Sequence, residues 1–156
     1  LLEKIEKDEA IVICKKAIDN WGTALQKIVA MEELAELISA LSSALKNQHN
    51  NIEEEAADVE IMCIQLRLMY GNQKVNEAHE EINEFSNFGL IESTIKRCSL
   101  LQQSISKSLR DIQNNSIYKN IALVENSCRA MRKKFNGDEI EEIKQVKLKK
   151  LKGVVW

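Results

Sequence analysis

The sequence has no proline and only 5 glycines in 156 residues. Little in it interrupts a helix, and few positions favour the tight hairpin turns of an antiparallel sheet. Aromatic residues make up 4% of the chain. They do not interleave with basic residues as on a nucleic-acid surface, and no helix-turn-helix pattern stands out, so nucleic acid is a poor candidate partner. No run of about 18 apolar residues exists. The start, Leu1-Leu2-Glu3-Lys4, has no basic segment leading into an apolar one, so the reading is a cytoplasmic protein without membrane contact. The four cysteines, Cys14, Cys63, Cys98 and Cys128, lie far apart without CxxC pairing, and buried free thiols are expected instead of a zinc site.

What is present points to helices. Hydrophobic residues at 44% and charged residues at 29% describe one compact domain with a real core. Apolar residues recur at three- and four-residue spacing, with breaks near 20–22, 47–51, 71–72, 87–89, 114–116 and 136–137. This pattern predicts an all-α protein of about seven helices. Asn51 and Asp138 are the expected N-caps.

The breaks themselves repeat. Asn20-Trp21-Gly22 is echoed by Asn87-Phe88-Gly89, and at the same offset of 67 Leu34 meets Leu101, Ile38 meets Ile105, Ser39 meets Ser106 and Asn47 meets Asn114. After a loop two residues shorter, Val59-Glu60 meets Val124-Glu125, Cys63 meets Cys128, Arg67 meets Arg132 and Tyr70 meets Phe135. Chance likeness between amphipathic helix pairs is the alternative, but the ordered polar matches favour a tandem duplication. Its units are residues 1–86 and 87–156, which together form one compact pseudodimeric bundle. Helices 22–47 and 51–70 are expected to meet their counterparts 89–113 and 117–135. Charge divides with the halves: residues 1–80 carry 8 Lys/Arg and 15 Asp/Glu, residues 81–156 carry 14 and 9.

Acidic residues in the first half are placed unusually. Glu32-Glu33-Leu34-Ala35-Glu36 lies on one predicted helix and Glu55-Ala56-Ala57-Asp58 on the next. Residues three apart share a side of a helix, so Glu33 with Glu36 and Glu55 with Asp58 each form a pair. At ~100° per residue, Glu55 falls inside the apolar arc of Val59, Met62, Cys63 and Leu66, and Asp58 falls at its edge. Glu53, Glu54 and Glu60 point elsewhere, as ordinary surface charges do. Acids aimed at a core need cations, and no Lys or Arg shares their stripe. Solvation, or pairing with Arg67 and the lysines, is the plain alternative; the second pair in an apolar arc tips the reading to a divalent metal. Oxygen ligands without His or Cys suit Mg²⁺ before Mn²⁺ or Ca²⁺.

This order of motifs, EExxE followed by ExxD, resembles the MazG family of all-α nucleoside triphosphate pyrophosphohydrolases. Trp21-Gly22, Gln26 and Ala57-Asp58-Val59 are also similar to small members, and the likeness covers about residues 10–85. The second unit departs from it, with Leu100, Gln103, Asn120 and Leu123 at the positions of Glu33, Glu36, Glu55 and Asp58. A working unit beside a degenerate one is similar to the related dimeric dUTPases. The resemblance implies Mg²⁺-dependent hydrolysis of a (deoxy)nucleoside triphosphate to monophosphate and pyrophosphate. Glu33, Glu36, Glu55 and Asp58 would be ligands, and Glu32 would position water or a second metal. Trp21 and Gln26 are candidates for contacting the base, although packing of Trp21 and an exposed Gln26 are the simpler expectations. Lys144, Lys147 and Lys150, in a basic final helix like that of single-unit members, are candidates for the phosphates. The family's oligomers imply a homodimer of such chains. Two other functions fit the sequence: a helical module that binds or sequesters nucleotide without turnover, and an interaction protein with no small-molecule role. Arg129, Arg132, Lys133 and Lys134 read as a solvated helical face.

Overall fold

The computed structural model describes residues 3–83 and 89–156, and among these the chain forms seven helices and no strand. They are α1 (Lys7–Trp21), α2 (Thr23–Leu45), α3 (Ile52–Tyr70), α4 (Asn72–Glu81), α5 (Leu90–Leu109), α6 (Ile117–Lys134) and α7 (Gly137–Val155). The echo of Asn20-Trp21 in Asn87-Phe88, and the boundary between the two units at 86–87, lie outside the described residues. No helix among those described is long and apolar enough to cross a membrane.

The ends of the helices follow local chemistry. Gly22 and Gly71 adopt φ of 88° and 129° at the α1–α2 and α3–α4 junctions, where a side chain would be strained. α2 and α5 both stop in a Schellman arrangement. The amides of Asn47 and Gln48 return to the carbonyls of Ala44 and Ser43, and those of Asp111 and Ile112 return to Ser108 and Lys107. Asn47 and Asp111 carry the positive φ of this motif, which short polar side chains tolerate best. The stop at Asp111 ends α5 before the break expected at 114–116. At the start of α7 the cap is Asn136, whose side chain accepts from the Glu139 amide at 3.0 Å, and Asp138 lies inside the first turn. Asn51 holds the cap position of α3, but its side chain makes no capping bond there.

One large core joins α2, α3, α5 and α6 around Leu34, Leu37, Leu41, Leu66, Leu101, Ile105 and Ile121, with Val75 of α4 and Ile140 of α7 at its sides. α2 packs on α5 and α3 on α6, while α7 lies against α3 and α4 against α6. A separate, smaller cluster attaches α1 through Ile13, Cys14 and Ala17 to Ile61 of α3 and Leu148 of α7. The segment before α1 is tied to α7 by two hydrogen bonds: the Ile5 amide donates to Gln145 Oε1 at 2.8 Å, and Gln145 Nε2 donates to the Ile5 carbonyl at 3.0 Å. All four cysteines are buried free thiols.

Two ion-pair networks cross between the halves, built from residues 65 positions apart. Arg67 grips Glu125 through Nε and Nη2 at 2.6 and 2.9 Å, and Arg132 grips Glu60 in the same way at 2.7 and 2.8 Å. His79 joins Glu125 at 2.7 Å and Lys144 joins Glu60 at 3.0 Å. Asn76 and Glu141, also 65 apart, each take a further bond from the arginine of their network at 2.7 Å. Glu60 and Arg132 are therefore not the surface charges their helical positions suggest. A bidentate, partly desolvated Arg–Glu pair is among the stronger polar contacts. Arg67→Ala and Arg132→Ala should each lower stability by about 1–3 kcal/mol, less than for a fully buried pair. The double variant Arg67→Ala/Glu125→Ala should lose less than the sum of its two single changes in urea denaturation. Strict additivity would show that this pair contributes nothing.

Candidate metal centre

The loop of residues 46–51 turns α2 back on α3, so the two helices run antiparallel and their acids meet. Glu33 of α2 and Glu55 and Asp58 of α3 each offer a carboxylate oxygen, and these three atoms lie within 4.8 Å of one another. Glu55 is buried at 7% exposure. Asn51 Nδ2 donates to its Oε1 at 2.5 Å, which orients the carboxylate. The other oxygen, Glu55 Oε2, is buried without a hydrogen-bond partner, and so is Glu33 Oε2. Asp58 Oδ2 accepts from Lys147 Nζ of α7 at 2.7 Å, and the same amine stands 3.5 Å from Glu54 Oε1.

One ammonium does not neutralise this group. Burial, reinforced by the charges of Asp58 and Glu36, pushes the Glu33 carboxyl up to about 8. Burial together with Glu36 and Asp58 pushes Glu55 up to about 7. Asp58 also sits above the ordinary carboxylate range, because burial outweighs the Lys147 contact. Acids that resist ionisation near neutral pH, with two buried oxygens lacking donors, form a set that a cation would complete. The donors are all carboxylate oxygens, so the set fits a hard divalent ion.

Of the residues expected here, Glu33, Glu55 and Asp58 come together. Glu36 is more open to solvent and stands at the rim, close enough to press on both Glu33 and Glu55. Glu32 is exposed and outside the group. Trp21 is exposed at the end of α1, whereas Gln26 is buried, contrary to the expectation of a solvated side chain. Of the lysines, only Lys147 reaches the acids; Lys144 belongs to the Glu60 network and Lys150 is exposed. Asn51 and Glu54 were not legible as neighbours of the site, since neither shows in the apolar periodicity.

The corresponding place in the second half is filled differently. Asn120, at the position of Glu55, donates to Ser104 Oγ at 2.7 Å and to the Leu100 carbonyl at 3.4 Å. Leu100 and Leu123 stand where Glu33 and Asp58 do. A neutral hydrogen bond and two apolar side chains need no cation. Comparison of the chain with protein-family models, curated proteins and solved structures found no match in any of the three.

The raised acids make stability depend on pH with a definite sign. Below their ordinary value of 4.5, Glu33 and Glu55 are protonated whether the chain is folded or not, and they cost nothing. As pH rises above that value the unfolded chain releases its protons while the folded chain holds them, so the folded state is penalised progressively until pH passes about 7 and about 8. Without divalent ions, the Tm should therefore fall between about pH 5 and pH 8.5. Glu33→Gln should flatten that fall and melt higher than the wild type at the alkaline end, while Mg²⁺ should raise the Tm of the wild type only. If Glu33→Gln is instead less stable than the wild type in metal-free alkaline buffer, the acids are reduced to structural ion pairs.

Proposed function

We propose that this chain is a divalent-metal-dependent nucleoside triphosphate pyrophosphohydrolase of MazG-like type. On this reading it is a pseudodimer of two helical units in which only the first keeps a working site. The observation that carries the reading is the pair of buried, unpartnered oxygens on Glu33 and Glu55, converging with Asp58 in the order EExxE and ExxD. The reciprocal Arg67–Glu125 and Arg132–Glu60 contacts support the pseudodimer, since a twofold relation makes each contact occur twice.

Glu33, Glu55 and Asp58 would hold Mg²⁺ or Mn²⁺, with Glu36 at the rim. Bound there, the ion supplies positive charge to the phosphate oxygens and offsets what develops on them during transfer. The chain's own groups do the rest. Asn51 fixes the Glu55 carboxylate, so its free oxygen faces inward. Lys147 holds its ammonium beside Asp58 and Glu54, from where it can turn to a triphosphate once those acids are neutralised. Water adds to the α phosphorus, the bond from that phosphorus to the α–β bridging oxygen breaks, and pyrophosphate leaves; a carboxylate of the crowded set takes the proton from the water.

Glu36→Gln, Glu55→Gln and Asp58→Asn should each lower Mg²⁺-dependent pyrophosphate release by at least ~100-fold with helicity retained. Lys147→Met should chiefly raise KM for the triphosphate and make its binding less sensitive to salt. Near-wild-type turnover in all three acid variants would overturn the assignment. Tight Mg²⁺-dependent nucleotide binding without pyrophosphate release would instead leave a sequestering module.

A further inference from the structure

Two buried glutamines continue the line of the carboxylates along the packed seam between α2 and α3. Gln26 precedes Glu33 by seven residues and Gln65 follows Asp58 by seven. Seven residues turn a helix by about 700° and advance it about 10 Å, so each amide leaves its helix in nearly the direction of the matching acid. Because α2 and α3 are antiparallel, stepping back along one and forward along the other leads the same way. The two amides thus lie at one end of the seam, on the side away from the 46–51 loop. They are 4% and 3% exposed, and Gln65 Oε1 is buried without a partner.

The internal repeat separates these glutamines from ordinary core polarity. Their counterparts in the second half are Ser93 and Ala130, while nearby positions keep their residues: Val59 with Val124, Cys63 with Cys128 and Arg67 with Arg132. The amides are missing from the same half that lacks the carboxylates, as expected if both belong to one ligand-binding set. Ser93 also satisfies itself locally, donating to the Leu90 carbonyl at 3.2 Å.

We infer that Gln65, assisted by Gln26, selects the substrate by reading the hydrogen-bonding edge of its nucleobase. This inference rests on the pyrophosphohydrolase reading. The unpartnered Oε1 accepts an N–H of the base, and the carboxamide matches an edge carrying an N–H beside an acceptor. A separation of about 10 Å from the acids suits a base whose triphosphate lies on the metal. α1 packs over α2 and α3, so a base would reach the amides only where α1 yields. α1 is held through its own small cluster and not the main core, and its ends are tied by the Ile5–Gln145 pair and by Asn20 Nδ2 donating to the Val155 carbonyl at 3.1 Å. A buried acceptor without a donor costs stability, and a site built to bond a polar group rejects ligands lacking it.

The test uses the full chain with Mn²⁺, the common ribo- and deoxynucleoside triphosphates, and inorganic tripolyphosphate as a ligand with no base. Gln65→Leu and the closer-shaped Gln65→Met should weaken the preferred nucleoside triphosphate about 10- to 100-fold. Tripolyphosphate and Mn²⁺ affinity should stay unchanged, and the Tm should be equal or higher. The wild type should bind that nucleotide more tightly than tripolyphosphate, and both variants should lose the margin. Unchanged nucleotide affinity in both variants overturns the inference. So does an equal loss for nucleotide and tripolyphosphate, which would make Gln65 structural. If the wild type binds Mn²⁺ and tripolyphosphate but shows no preference for any nucleotide, the amide inference fails while the metal centre stands. If it binds no Mn²⁺, both fail.

Discussion

Each helical hairpin here, α2 with α3 and α5 with α6, presents an apolar stripe wider than its partner helix covers, and the remainder is closed by the other hairpin, with α4 and α7 at the sides. Leu34, Leu37 and Leu41 of α2 and Leu101 and Ile105 of α5 are all at or near zero exposure in one shared cluster. At roughly 25 cal/mol per Å² of apolar surface removed from water, this mutual covering outweighs any single polar contact in the molecule. It also decides where polar groups can go. With the central faces of α3 and α6 committed to packing, Arg67 and Arg132 lie at its margins, each closing on a glutamate of the opposite half. α7 crosses to α3 and α4 to α6, so neither half holds its last helix against its own pair alone.

That exchange brings chemistry from one half to the other. Lys147 belongs to the second half, yet its ammonium sits on Asp58 of the first. The residue 65 positions earlier, Ile82, is apolar and packs against the core. Ile82 follows the end of α4 while Lys147 stands within α7, so the cation has no counterpart there. The opposite halves of the acidic and basic charge distribution are in this sense complementary: an acidic hairpin is faced by a basic terminal helix that arrives from the other unit.

Much of the fold was legible because the signals that specify it are local and repeated. Apolar spacing and the absence of proline gave the helices, and Asn47, Gly22 and Gly71 marked real junctions because their backbone conformations disfavour most other residues. The end of α5 was less legible, since Asp111 in the left-handed region does not announce itself beside Asn114 and Asn115. At the centre, Glu55 and Asp58 could be read because acids inside an apolar arc are costly unless something compensates. Glu60 was misplaced as a surface charge, although its recurrence as Glu125 in step with Arg67 and Arg132 held the clue. A charged pair that recurs at one offset points to a contact between the halves, and periodicity within one helix cannot show it. Gln65, and the burial of Gln26, escaped for the opposite reason: a glutamine is compatible with solvent, and only burial distinguishes it.

On the proposed duplication, the two halves divide stability from chemistry. In the second half, Asn120 closes on Ser104 and the Leu100 carbonyl, Leu100 and Leu123 replace acids, and Ser93 and Ala130 replace the buried amides. Each replacement removes a group that is costly to bury alone. In the first half those costs remain together, as raised carboxyls and unpartnered oxygens along one seam. A single hairpin carrying that load would have little left with which to hold its fold, given that domains are stable by only about 5–15 kcal/mol. The second half supplies packing surface, a clasping arginine and the terminal helix, and against these the first half keeps its raised carboxyls and unpartnered oxygens.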